Sequence, residues 1–298
     1  MNKKFITNNL RLIFWNVRGI RSKKLEIEKM LLNLDILICV KSWLDDKVNN
    51  DKFQFKGFLV YRQDRYNTTG GGGIVFIIRK NIGFVEINNL QFPNQPLFEI
   101  CGIEITNTSE PFSIIACYKP PHVSLSQTDW DNITNVFHTN QPGLLLGDFN
   151  AHNQAWNCSH NNTNGTRFYS SILKNDLFLH NPNTLTDVDS RNGNKSNIDL
   201  VLSSALLAHK ISINVENDLC GSDHFPISIS FNLIKYSYQK KTFKIQTKKT
   251  NWHIFTENLN ENYTNFYSVE YNDLSPLLKY NLYIDTIKKA IELSTPMK

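Results

Sequence analysis

The chain has 298 residues, 41% of them hydrophobic and 20% charged, with 19 Phe and 11 Tyr; that composition excludes a disordered or low-complexity protein and allows one large α/β domain with a short extra segment. A formal net charge of +5 and a pI near 8.8 are compatible with a polyanionic partner, although many ordinary proteins carry as much. The five cysteines (Cys39, Cys101, Cys117, Cys158 and Cys220) are scattered and form no CxxC pair, which argues against a disulfide scaffold or a zinc knuckle.

"LRLIFWNV" (10–17) reads as a strand, and "SKKLEIEKMLLNL" as a helix with Ser22 available near its start. "DILICV" (35–40) is a buried-type strand. "FQFKGFLVYR" holds a short aromatic strand within a loop region, and "NTTGGGG" is flexible or tightly turned. "GIVFIIRK", "LFEICGIEI" and "FSIIACY" follow as strands separated by polar or Pro-containing turns. A helix is expected over 125–137, a strand over Leu144–Leu146 and a helix over Thr166–Lys174. "NIDLVLS", "ISINV" and "FPISISF" supply the last strands. Helix-linked strands mixed with hairpin-like ones predict an α/β sandwich with substantial antiparallel pairing.

Composition changes after Phe231: "KYSYQKKTFKIQTKKT" has six lysines and no acid, the pattern of a solvated linker or a nonspecific phosphate-contacting arm. The expected organisation is a main domain over 1–231, a Lys-rich linker over 232–250 and a helical extension over 251–298. The extension is too small for its own core and reads as the start of a further, truncated region. No uncharged apolar run reaches about 18 residues and no signal peptide is evident, so a soluble nuclear or cytoplasmic protein with no membrane partner is expected.

Several apolar runs end in polar groups. "GLLLGDFNAHN" carries Asp148, Asn150 and His152 beyond its leucines, "LIFWN" ends at Asn16, "FSIIACY" ends at Tyr118, and "GSDHFPISI" places Asp223 and His224 just before a strand. Strand ends are where α/β folds expose functional side chains. Carboxylates and amide oxygens suit Mg²⁺ or Mn²⁺, while His and Tyr stabilise charge on phosphate oxygens. The same residues also serve plain structural ends, with Asp148 and Asn150 terminating a strand through Asx turns and Tyr118 anchoring it, and both readings stand at this level.

The ordered set "FWNVRGI" (14–20), "ACYKPP" (116–121), "LLLGDFNAHNQAW" (144–156), "SNIDLVLS" (196–203) and "GSDHFPI" (221–227) resembles the endonuclease/exonuclease/phosphatase superfamily. The resemblance is closest to the apurinic-type endonuclease domain of insect-like non-LTR retrotransposons. It implies a four-layered α/β sandwich with two mixed, largely antiparallel sheets flanked by helices. The reaction it implies is Mg²⁺- or Mn²⁺-dependent nicking of double-stranded DNA that leaves a 3′-hydroxyl to prime reverse transcription. A monomer is expected, with element RNA and a reverse transcriptase as further partners.

By motif, the resemblance makes Asn16 and Asp199 metal and phosphate residues, and Tyr118 a contact to the scissile phosphate. Asp148 orients or deprotonates water, Asn150 bonds the same region, Asp223 orients His224, and His224 stabilises the transition state. Ser222 is a phosphate contact, and Arg65, Arg191 and Lys195 are DNA contacts from the loops around "RYNTTGGGG" and "TDVDSRNGNK". Trp156 reads as structural.

One position departs from the family pattern. There, the strand matching "DILICV" runs into a Glu that is the principal metal ligand; here the position is Lys41. An ammonium removes a ligand and adds positive charge where the cation belongs, or pairs with Asp148 or Asp199 in a metal-free site. Asp45 and Asp46 reach that position only if the "SWLDD" segment folds back. A catalytically inactive nucleic-acid-binding protein and a phosphoester phosphatase are the alternatives on the same fold.

Overall fold

Runs of branched and aromatic residues too short for a helix build the strands of this computed structural model. It describes residues 3–6, 9–45, 48, 53–65, 71–88, 90, 98–137, 141–238, 247–263 and 274–296. In chain order the strands are β1 (Lys3–Ile6), β2 (Leu10–Asn16), β3 (Ile36–Val40), β4 (Phe58–Gln63), β5 (Ile74–Arg79), β6 (Phe84–Glu86), β7 (Glu99–Ile105) and β8 (Phe112–Tyr118). They continue as β9 (Gly143–Asp148), β10 (Phe178–Leu179), β11 (Asp187–Val188), β12 (Lys195–Ser196), β13 (Asp199–Ser203), β14 (Ile211–Val215), β15 (Ile227–Phe231) and β16 (Lys235–Tyr238). The helices are α1 (Lys24–Leu31), α2 (Gln127–Thr134), α3 (Thr163–Lys174), α4 (Ala205–Ala208), α5 (Trp252–Tyr263) and α6 (Pro276–Ser294).

One sheet has the order β14-β15-β2-β3-β5-β4 and the other β10-β13-β9-β8-β7-β6. Each has a single parallel pair, β2 with β3 and β8 with β9, and is otherwise antiparallel. A parallel pair needs a crossover; α1 lies in the connection from β2 to β3, and α2 in that from β8 to β9.

Alternation along the strands makes the layers. Leu144 and Leu146 face the core between the sheets with Phe14, Phe76, Phe112 and Phe231, while Leu145 faces the other way, with Trp130, Phe149, Phe168 and Ile172 of the α2 and α3 layer. In the first sheet Trp15, Leu37 and Val75 pack with Ile27 and Leu31 of α1. Helix, sheet, sheet and helix thus stack in four layers around three apolar clusters. Trp130 and Phe168 stack at 4.3 Å between centroids, locking α2 and α3 together.

Some local expectations change. Ser22 does not cap α1: its hydroxyl donates to the Gly19 carbonyl, and α1 has no side-chain cap. The capping box that does form is Ser126 with Asp129 at the start of α2. The chain also stays on the sandwich past Phe231, because Leu233 is buried and β16 pairs antiparallel with β1. Residues 232–238, expected as linker, therefore belong to the fold; 239–246 lie outside the described residues.

The chain divides into two compact units, Asn2–Tyr238 and Gln239–Lys298. Within the second unit α5 packs on α6, and the Asn251 N–H donates to the Ser294 carbonyl at 2.8 Å. No helix among the described residues is long and apolar enough to cross a membrane.

Gly147 sits opposite Cys117 in the β8–β9 pair, and a Cβ there would lie 2.4 Å from the Cys117 carbonyl oxygen. Gly147→Ala should cost about 1–3 kcal/mol, read as a lower unfolding midpoint. An unchanged midpoint would contradict this close strand approach.

Candidate active site

Strand register brings the polar strand ends into line. Across the second sheet Glu99 pairs with Tyr118, Tyr118 with Asp148, and Asp148 with Asp199. In the first sheet Asn16 pairs with Val40, so Lys41 follows directly beyond that row. The two rows meet where Asn16 Nδ2 donates to Asp148 Oδ2 at 2.8 Å. Both residues are fully buried.

Asp148 is held on its other oxygen as well. Oδ1 accepts from the Asn150 backbone N–H at 3.2 Å and from Asn150 Nδ2 at 2.8 Å. Asn150 adopts φ +43 and donates to the Lys119 carbonyl at 2.8 Å, so the turn after β9 is fixed by its own side chain. Burial, followed by the neighbouring Asp199 carboxylate, pushes the Asp148 carboxyl well above the usual range, while His224 and Lys41 oppose the shift.

His224 joins the sheets from the first turn before β15, and Trp15 Nε1 donates to its carbonyl at 3.0 Å. Its Nδ1 lies 2.6 Å from Asp199 Oδ2 and its Nε2 lies 3.0 Å from Asn16 Nδ2. Burial alone would lower the imidazole pKa; the charge of Asp199 and its hydrogen bond win, helped by Asp148 and Asp187, and raise it to about 9. Asp199, not Asp223, is therefore the carboxylate that orients the ring. Asp223 lies 3.9 Å from Nε2, and its carboxylate is drawn off by a salt bridge to Arg18.

Tyr118 is buried beside Asp148. Burial and that negative charge push its phenol pKa up, so the hydroxyl remains a proton donor. Arg65 and Lys41 both stand 5.5 Å from the centre of its ring. Arg65 is salt-bridged to Glu99 at 2.5 Å, so its charge is already balanced by a carboxylate. Glu99 also accepts from the Gly73 N–H at 2.8 Å, and a Cβ at Gly72 (φ +135) would strike both Arg65 and Glu99. A glycine pair is needed here for the chain to pass.

Lys41 is partly buried at φ +53, a left-handed backbone uncommon outside glycine. It is held there by Gly19 N–H donating to the Lys41 carbonyl at 2.9 Å and by Ser42 N–H donating to Gly73 at 3.1 Å. The ion pair with Asp148 or Asp199 does not form: among the described residues no carboxylate oxygen comes within 4.0 Å of the Lys41 ammonium. Asp45 faces Arg21 at 3.5 Å, and Asp46 lies outside the described residues.

Other expected contacts separate from the centre. The Ser222 hydroxyl donates to the Asn16 carbonyl at 2.7 Å and so braces the backbone. Arg191 pairs with Asp189 at 2.8 Å on an exposed hairpin, and Lys195 lies 5.9 Å from the Phe225 ring centre. Trp156 is fully buried, its Nε1 donating to Ala151 at 3.0 Å. His152 stacks on His160 at 5.0 Å. Residues 66–70 of "RYNTTGGGG" lie outside the described residues.

Three residues were not singled out in the sequence. Asp187, in a polar hairpin with nothing to distinguish it, reaches His224 Nε2 at 3.4 Å. Glu99, an acid inside the apolar run "LFEICGIEI", is detectable in principle by that placement. Lys119, also fully buried, donates to the Pro120 and Val123 carbonyls at 3.0 Å each, and burial lowers its pKa to about 8.

The donors present fit a divalent cation. Asn16 Oδ1 and Asp199 Oδ1 are buried and accept no hydrogen bond, and ligand atoms of Asp148, Asp199 and His224 lie within 4.8 Å of one another. Such a set of carboxylate and amide oxygens with one imidazole suits a divalent cation.

The pKa of His224 is raised above its ordinary 6.5, so its proton stabilises the fold fully below pH 6.5, and that contribution is lost as pH rises through about 9. Asp199→Asn should move the imidazole midpoint down by at least about one unit in an NMR titration and flatten the loss of stability over that window. An unchanged midpoint would contradict the assignment of Asp199 as the orienting carboxylate.

A family model described as endonuclease-reverse transcriptase matches residues 112–228, from β8 into β15. No curated protein matches. Among solved structures, the endonuclease domain of TRAS1, a telomere-specific non-LTR retrotransposon, is 16% identical with a TM-score of 0.61, over 74% of this chain and 98% of that one. A 3′ phosphatase from Neisseria bound to a product DNA hairpin is 17% identical with a TM-score of 0.57, over 74% and 99%. The Xenopus laevis APE2 catalytic domain is 13% identical with a TM-score of 0.59, over 78% and 94%. With its two mixed sheets, flanking helices and convergent strand ends, the chain has the fold of the endonuclease/exonuclease/phosphatase superfamily.

Proposed function

We propose that the chain is a divalent-metal-dependent phosphodiesterase that nicks double-stranded DNA, of the kind that opens target DNA for a non-LTR retroelement, with its turnover reduced by Lys41. The observation that carries this reading is the buried chain from Asp148 through Asn16 and His224 to Asp199, with two oxygens left unpaired beside it. A buried polar oxygen without a donor is costly, and a bound cation relieves that cost. The retroelement role draws on the endonuclease-reverse transcriptase family model and on the likeness to the TRAS1 domain.

Asp148, Asp199 and Asn16 would hold the cation, which supplies Lewis-acid stabilisation of charge on the phosphate. Asp148, raised toward neutrality and fixed by Asn16 and Asn150, accepts the proton of the attacking water. His224 is oriented and kept charged by Asp199, and the field of its ring stabilises negative charge developing on the phosphate. Tyr118 donates its hydroxyl to the same phosphate.

Lys41 favours a second reading, a nucleic-acid-binding protein without turnover, because its ammonium stands beside the carboxylates that would hold the cation. A nicking assay on supercoiled plasmid with Mg²⁺ or Mn²⁺ separates the two. Lys41→Glu should nick at least about tenfold faster than the unmodified chain, and adding Asp148→Ala should abolish nicking. If neither the chain nor Lys41→Glu nicks, the enzymatic reading fails.

A further inference from the structure

Two of the acids flanking the site have their own arginines, Asp223 with Arg18 and Glu99 with Arg65. Among the described residues no arginine or lysine nitrogen lies within 4.0 Å of the central carboxylates Asp148 and Asp199; His224 contacts Asp199 directly and reaches Asp148 through Asn16. Lys41 is the nearby cation that enters the electrostatics of Asp148. Its amine is partly buried and, among the described residues, donates no hydrogen bond, although it carries three N–H groups. An ammonium drawn partly out of water without an acceptor is poised for an anionic ligand.

We infer that Lys41 is the phosphate-binding cation of this site: its ammonium, near enough to act on the charge of Asp148 without an ion pair, binds a nonbridging oxygen of a nucleic-acid phosphodiester, so that the phosphate is held without metal. The inference rests on the phosphodiester reading above. Geometry supports it on both sides of the ligand. Lys41 and the Tyr118 hydroxyl stand at one edge of the acidic row, since the ammonium is 5.5 Å from the Tyr118 ring centre and Tyr118 pairs in register with Asp148. His224 closes the other edge through Asp199. A phosphate between them meets the Lys41 ammonium and the Tyr118 phenol, two donors suited to its oxygens, with the His224 ring beyond. The same ammonium repels a divalent ion from Asp148, so phosphate binding and metal binding should respond to residue 41 in opposite directions.

The experiment compares the unmodified chain with Lys41→Met, which keeps most of the stem, and Lys41→Glu, after thermal unfolding shows that both variants are folded. Binding of a short fluorescent DNA duplex is followed by anisotropy in chelator and in Mg²⁺, and Mn²⁺ uptake by electron paramagnetic resonance without DNA. The unmodified chain should bind the duplex equally, within about twofold, with and without Mg²⁺; Lys41→Met should lose about tenfold in chelator. Lys41→Glu should bind Mn²⁺ at least about tenfold more tightly than the unmodified chain. Duplex binding by Lys41→Met that matches the unmodified chain in chelator, or Mn²⁺ uptake by the unmodified chain that matches Lys41→Glu, overturns the inference while leaving the DNA reading intact. Absence of duplex binding by the unmodified chain under every condition defeats the DNA reading itself, and this inference with it.

Discussion

The hydrogen bond from Asn16 to Asp148 is the constraint on which the site depends. It joins the last residue of β2 in one sheet to the last residue of β9 in the other, with both side chains removed from water. A buried amide and a buried carboxylate must find partners, so this contact fixes how the two strand ends meet. The leucines before Asp148 divide between the inter-sheet core and the helix layer, clamping β9 from both faces. Close packing on both sides turns the strand into a rigid mount, the condition for holding a catalytic constellation in place.

Electrostatics then follow from burial. Burial and then the Asp199 carboxylate raise the Asp148 pKa, while Asp199, Asp148 and Asp187 outweigh burial to raise that of His224. Arginines balance Asp223 and Glu99 at the flanks, leaving the centre to His224 and to whatever cation sits near Asp148. Lys41 occupies that position from the strained turn after β3, where backbone hydrogen bonds to Gly19 and Gly73 hold its neighbourhood. A carboxylate there would complete an oxygen cage; in the proposed reading the ammonium instead favours direct recognition of phosphate.

Much of this was legible in the sequence because it rests on short-range signals. Apolar runs marked β2, β3, β5, β7, β8, β9, β13 and β15, and the polar residues ending three of them marked Asn16, Tyr118 and Asp148, whereas Asp199, which begins β13, was named only through the family resemblance. Pairings between distant segments were not legible. Asp199 and Asp223 both precede or begin late strands, and only the register of β13 against β9 places Asp199 at the His224 ring. Asp187 gave no signal because its neighbours are polar and its role comes from a bridge between residues 187 and 224. The Lys-rich stretch after Phe231 hid β16, whose partner β1 is the first strand of the chain.

The proposed function makes the strand ends of both sheets one phosphodiester-binding centre. A crystal structure of the chain with a short DNA duplex in chelator tests it most directly. A backbone phosphate should lie between Lys41, Tyr118 and His224, with the Lys41 ammonium on a nonbridging oxygen. A duplex bound elsewhere on the surface, with this row of residues free of phosphate, would contradict it.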